Sequence, residues 1–175
     1  PQYSNIIINP RSPTNYTINK NYQFNITWID NTAVSNAILD FDGKNYTMFK
    51  NGNEYYYIFT NLASGTYTYY FWANDSSGNT NISSTYSYNI NKALGQVSLL
   101  LNGITNNLTV IGGAQINASA FTLYGNLILY RNSLDVTLEI NKLINLIAGS
   151  YNYTAVSSGN QNYSQETITR LLNFT

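Results

Sequence analysis

Along most of the chain, apolar and polar side chains alternate with a period of two, the spacing of a strand that buries one face. From Gln23 to Asp30, Phe24, Ile26 and Trp28 point one way and Gln23, Asn25 and Thr27 the other, which makes Trp28 a core candidate. Ala37, Leu39 and Phe41 continue the pattern, followed by Tyr46 and Met48. Turns fall at Asp42-Gly43 and Asn51-Gly52, dipeptides that accept the positive φ of a tight hairpin. Asn15 to Lys20 reads as a brief strand, Glu54 to Thr60 as a longer one with three consecutive Tyr, and Asn81 to Ile90 as the last of the first half. Asn91 to Gly95 is the junction. The alternation then restarts with Val97, Leu99 and Leu101, turns at Asn102-Gly103, and runs through Leu108 and Val110, Ile116 and Ala118, Leu127 and Leu129, and Leu134, Val136, Leu138 and Ile140. Leu143 to Ile147 reads as one helical turn, and a final strand holds Ile168, Leu172 and Phe174. Tyr3 to Asn9 departs from the pattern, because Ile6-Ile7-Ile8 is apolar on both faces and suits burial on both. Pro10 and Pro13 cut it off. A strand so detached either packs on its own sandwich or leaves to complete a neighbour's sheet by strand addition.

One stretch occurs twice. Gly65-Thr66-Tyr67-Thr68-Tyr69 returns as Gly149-Ser150-Tyr151-Asn152-Tyr153, and the Ser-Ser-Gly-Asn of Ser76 to Asn79 returns from Ser157 to Asn160. Self-similarity over this distance marks two copies of one supersecondary unit. Leu62, Gly65, Tyr67 and Tyr69, and again Leu146, Gly149, Tyr151 and Tyr153, resemble the tyrosine corner of an immunoglobulin-like sandwich, in which a ring is buried while its hydroxyl bonds backbone. The other reading is a pair of similar Tyr-rich hairpins in a biased chain. The positions that hold Cys in antibody domains carry Tyr, so no bridge of that kind forms. The expected fold is all-β: a detachable N-terminal strand and linker over 1–13, then two tandem immunoglobulin-like β-sandwich domains over 14–91 and 92–175.

Composition narrows the chemistry. Only 9% of the 175 residues are charged, eight basic and eight acidic, against a usual quarter. A formal net charge of +0 gives no footprint for nucleic acid or an anionic membrane. Apolar runs such as Leu99 to Leu101 are far too short to insert in a bilayer, and Pro1 reads as a mature start with the signal peptide removed. Without His or Cys the usual general base, the thiol nucleophile and most transition-metal ligands are missing. The carboxylates Asp30, Asp40, Asp42, Glu54, Asp75, Asp135, Glu139 and Glu166 are scattered. Asp40 and Asp42, with Gly43, offer oxygens to a Ca2+ loop, but Asp40-Phe41-Asp42-Gly43-Lys44 is too short for an EF-hand and ends in a cation, which favours a β-turn. No catalytic residue, metal or cofactor is expected. Tyr55-Tyr56-Tyr57 and Tyr69-Tyr70 offer a sugar-stacking platform or a protein interface, with alternation sending half of each run inward. A sheet with so few charges also has little to lose when carboxylates protonate, which fits an acid exterior.

The acceptor pattern Asn-x-Ser/Thr begins at Asn15, Asn25, Asn45, Asn74, Asn81, Asn107, Asn117, Asn152, Asn162 and Asn173. With 29 Asn and 34 Ser plus Thr, chance supplies about six of these ten. The middle residue says more: it is Tyr, Ile, Leu, Ala or Phe in nine cases and Asp75 in the tenth. In a strand, Asn and Thr then share the solvent face while the middle side chain enters the core. The functional reading is a coat of N-linked glycans. The plain one is that a low-charge sheet needs small polar residues outside.

Taken together, the detachable Ile-rich start, the two Gly-x-Tyr-x-Tyr units, the acceptors, the low charge and the absent Cys resemble the subunit of an archaeal surface filament, the "thread" pilin of acid-living thermophiles. The resemblance implies a secreted, glycosylated subunit stacked head to tail on identical subunits outside the cell. It also implies a donor strand at Tyr3, Ser4, Asn5, Ile6, Ile7, Ile8 and Asn9, with Ile6 and Ile8 filling pockets in the next subunit. A monomeric immunoglobulin-like adhesin or S-layer-associated glycan-binding module is the alternative.

Overall fold

A computed structural model describes residues 1–111 and 114–175. Among them the only helical turn is a 3-10 turn at Thr137–Glu139; the rest of the regular structure is strand. The chain divides into two compact units, Pro1–Lys92 and Ala93–Thr175, and the N-terminal strand belongs to the first of them.

The first unit runs β1 (Gln2–Asn9), β2 (Thr14–Asn15), β3 (Asn21–Ile29), β4 (Val34–Phe41), β5 (Lys44–Thr47), β6 (Phe49–Asn51), β7 (Glu54–Thr60), β8 (Gly65–Asp75), β9 (Thr80–Ile82) and β10 (Tyr86–Asn91). One sheet has the order β1-β3-β7-β6, the other β2-β10-β8-β4-β5, with β9 also on β8. The first strand is split: β1 lies antiparallel to β3 in one sheet, and β2 lies parallel to β10 in the other. The second unit repeats that plan with β11 (Val97–Leu101), β12 (Leu108–Val110), β13 (Ile116–Thr122), β14 (Leu127–Arg131), β15 (Leu134–Asp135), β16 (Leu143–Ile144), β17 (Gly149–Ser157) and β18 (Glu166–Phe174). Its sheets are β11-β13-β16 and β12-β18-β17-β14-β15, with β11 antiparallel to β13 and β12 parallel to β18. Both units are immunoglobulin-like sandwiches by this strand order.

Each unit has its own core. In the first, the alternation on β3 sends Tyr22, Phe24, Ile26 and Trp28 inward, all fully buried. Phe24 is the hub: Phe41, Phe59, Tyr69 and Tyr88 meet it edge-on at 5.2, 5.8, 4.9 and 5.2 Å between centroids, the geometry that aligns ring edges with ring faces. Burial pushes the Tyr69 hydroxyl up to about 12, with Tyr86 adding to the effect, and moves Tyr88 the same way, so both rings stay neutral.

The repeated stretch forms the same corner twice. Tyr67 donates its hydroxyl to the Ala63 carbonyl and Tyr151 donates to Ile147, each at 2.9 Å and each reaching four residues back. The hairpin signals also hold: Asp42 and Gly43 have φ of +55° and +77°, and Asn102 and Gly103 of +48° and +80°.

Four local expectations are corrected. The strand expected from Asn81 to Ile90 is two, β9 ending at Ile82 and β10 starting at Tyr86, parted where the buried Ser83 hydroxyl accepts from the Phe71 N–H. The strand expected through Leu134, Val136, Leu138 and Ile140 stops at Asp135, because the Asp135 carboxylate accepts from both the Thr137 N–H and its hydroxyl and turns the chain. Leu143 to Ile147 forms no helical turn; Leu143 and Ile144 pair instead with Asn117 and Ile116 of β13. Asn15 to Lys20 is strand only at its start, since β2 ends at Asn15.

Tyr67→Phe and Tyr151→Phe each cost about 1 kcal/mol, the net worth of one hydrogen bond, and Phe24→Ala costs about 3–5 kcal/mol, all read by urea denaturation. Asp75 is held below the usual carboxylate range by the Asn79 amide and the N–H groups of Asn79 and Ser77, and Asp135 by the Thr137 hydroxyl and N–H. A depressed folded pKa adds stability above the unfolded value, near 4, and that stability is lost as pH falls through the folded value. The melting temperature is therefore flat from pH 7 to about 5 and declines gently only below about 4. Asp75→Asn makes that decline shallower; a steep fall on acidification contradicts this.

Candidate functional site

Strand edges dominate what these sandwiches offer to other molecules. The terminal strands of the four sheets are β1, β6, β2, β5, β11, β16, β12 and β15. Six of them are two to four residues long, and short edges are a standard protection against unwanted pairing. The exceptions are the first strand of each unit: β1 with eight residues and β11 with five.

β1 is held by an interrupted ladder. Its register on β3 runs Gln2 to Ile29, Tyr3 to Trp28 and Ser4 to Thr27, slips between Ser4 and Ile7, and resumes with Ile7 opposite Asn25 and Ile8 opposite Phe24. Asn5, inside the slip, has φ +50°. Tyr3 meets Trp28 edge-on at 5.3 Å. Tyr3, Ile6 and Ile8 pack on the core only partly buried, and Ile7 is 55% exposed. The segment Tyr3, Ser4, Asn5, Ile6, Ile7, Ile8 and Asn9 thus buries one face where its sequence offers two, and within the single chain it lies on its own β3. Of the two placements its sequence allows, this is the local one.

β11 pairs only with β13, and β12 covers β18 only at Leu172–Phe174. Between these uncovered backbones lies a groove of about 500 Å³, walled by Val97, Ser98, Phe121, Leu123, Glu166 and Ile168. Phe121 and Leu123 are 58% and 55% exposed. Sequence reasoning did not find this edge, because strand pairing is not a local property.

None of the ten acceptor asparagines is buried, and Asn15, Asn45, Asn107, Asn152 and Asn173 are exposed. The middle residues Ile26, Asp75, Ala118, Tyr153 and Phe174 are buried, whereas Ile82 is 54% exposed. Asn45 and Asn152 have side-chain amides with no hydrogen bond to the described residues. Asn25, Asn74, Asn107, Asn117 and Asn173 accept through Oδ1, from Gln23, Asn36, Leu171, Ser119 and Ser150, and keep Nδ2 free. Asn15 likewise accepts from Asn91. Asn81 differs: its Oδ1 accepts from the Ile82 N–H and its Nδ2 donates to the Pro1 carbonyl, both at 2.8 Å. Asn162, half-buried, lies in the turn before β18.

The two tyrosine runs do not make one platform. Tyr55 and Tyr69 are buried, and the runs lie on different sheets. Asp40 closes the hairpin by accepting from the Gly43 N–H, and Asp42 accepts from the Thr68 N–H on β8. Among the described residues no three of His, Cys, Asp or Glu come together, and no helix is long and apolar enough to cross a membrane.

No protein-family model and no curated protein matches the chain. Solved structures similar to it include the fibronectin(III)-like modules of CbhA from Clostridium thermocellum, 14% identical over 97% of this chain and 94% of that one, with a TM-score of 0.42. The Ca2+-stabilized adhesin with which an Antarctic bacterium binds ice is 14% identical over 98% of this chain and 49% of that one, with a TM-score of 0.34. The amphioxus IgVJ-C2 molecule is 13% identical over 89% and 97%, with a TM-score of 0.33.

Proposed function

We propose that the chain is the structural subunit of a glycosylated extracellular filament of the archaeal thread type, polymerising head to tail when β1 of one copy enters a sandwich of the next. The observation that carries this reading is the contrast of edges. Six terminal strands are too short to recruit a partner, while β1 is long, bulged and only partly buried, and β11 leaves a long edge beside an apolar groove. A strand exchanged between copies keeps its backbone hydrogen bonds, and Ile7, 55% exposed at home, gains a surface to cover it. Repeated head to tail, such a contact gives an open fibre. Pulling the strand out breaks its whole ladder at once.

A second reading, a monomeric immunoglobulin-like cell-surface module, is favoured by one observation: β1 completes its own sandwich. The two are separable because the chain has no Cys. Ser4→Cys with Thr27→Cys, opposite each other on β1 and β3, ties the strand at home when oxidised. Oxidised protein is expected to stay monomeric and reduced protein to polymerise, by electron microscopy and sedimentation. Polymers from protein oxidised as the dispersed monomer, its bridge within one chain by non-reducing gel, exclude exchange of β1, and monomers under both conditions support the module. Glycopeptide mass spectrometry is expected to find Asn45 and Asn152 modified. Asn81 stays bare wherever β1 remains at home, since the Pro1 carbonyl occupies its Nδ2.

A further inference from the structure

The outer face of β4, β8 and β9 carries a pattern that strand exchange does not use. Tyr69, Phe71 and Ala73 on β8 point into the core, so Tyr70, Trp72 and Asn74 point away from it. Trp72 stands directly opposite Ile38 on one side and Ile82 on the other, forming a row of three apolar side chains across three strands. The next row reads Asn36, Asn74, Thr80, and the row on the other side pairs Asp40 with Tyr70. An indole on an outward sheet face between two aliphatic side chains, with amides, a carboxylate and a hydroxyl around it, matches the two faces of a pyranose: C–H groups on the flat side, hydroxyls at the rim.

Asn74 opens the acceptor Asn74-Asp75-Ser76. Its Oδ1 is held by the N–H and Nδ2 of Asn36 at 3.0 and 3.1 Å, which leaves Nδ2 free. Two residues apart on one strand, Asn74 and Trp72 are separated by about 7 Å, the reach of a sugar attached at one and lying over the other. No other acceptor in the chain has an aromatic residue two places before it.

We infer that Trp72, flanked by Ile38 and Ile82, is the stacking platform for the first sugar of an N-linked glycan on Asn74. The inference rests on the reading that the acceptors are glycosylated. In that modification Nδ2 bonds the anomeric carbon of a lipid-phosphate-linked oligosaccharide, loses a proton, and the lipid phosphate leaves. Stacking one ring on one indole is a weak contact between free molecules. The covalent tether makes it intramolecular, with a high effective concentration and little freedom left to lose. The glycan thereby covers the apolar row and lies along the sheet instead of extending from it.

The test uses full-length protein in glycosylated form and in glycan-free form from a host without N-glycosylation. Acrylamide quenching of tryptophan fluorescence is the readout, and the buried Trp28 supplies a constant background. The glycan is expected to reduce quenching of Trp72 several-fold. Asn74→Gln in the glycosylated host restores it, while Trp72→Ala removes the quenchable signal in both forms. In thermal melts, the effects of Trp72→Ala and Asn74→Gln are non-additive with glycan and additive without it. Mass spectrometry of the Asn74 peptide separates the ways to fail. Full occupancy with unchanged quenching overturns the stacking and leaves the glycan coat intact; an unmodified Asn74 overturns both at this site. Protection of glycan-free protein by added oligosaccharide overturns the tethered arrangement in favour of a site for free sugar.

Discussion

A sheet ends in a row of N–H and C=O groups that want partners, and what a sandwich does with those rows decides whether it stays alone. Here the two first strands stand apart from the other terminal strands. β1 is eight residues long, carries three consecutive isoleucines, and is attached to β3 by a ladder that slips in its middle. β11 leaves one side unpaired next to exposed Phe121 and Leu123. Charged side chains, a usual guard for such edges, are scarce in a chain that is 9% charged.

Low charge shapes the interior and exterior together. The first core is a lattice of rings centred on Phe24, with Tyr69 and Tyr88 among its members. Outside, asparagine and threonine side chains bond one another, as Asn36 does Asn74 and Thr154 does Thr169. Ion pairing within the second sandwich is confined, among the described residues, to Arg131 with Glu139. Acid has few targets in such a molecule. The carboxylates of Asp75 and Asp135 each hold a turn.

Much of this was legible in the sequence, because period-two alternation and turn chemistry act locally. Phe24, Ile26 and Trp28 point inward as their spacing required, and Asp42-Gly43 turns as its φ preference required. The recurrence of Gly-x-Tyr-x-Tyr foretold two corners, and the structure gives both the same four-residue reach. Failures came where a side chain or a distant strand overruled the local pattern: Asp135 captured Thr137 and ended a strand, and β13 drew Leu143 and Ile144 out of a helical turn. The open edge of β11 and the row Ile38, Trp72, Ile82 depend on which strands become neighbours, which composition does not encode. The placement of β1 is hardest to read of all, since its ladder has the same chemistry at home and in a neighbour.

Electron cryo-microscopy of filaments sheared from cells shows where β1 sits. Strand exchange gives fibres in which residues 2–9 lie in the sandwich of an adjoining copy, with sugar density on asparagines of the outer faces. Dispersed particles with that strand on its own β3, or fibres joined by some other surface, contradict it.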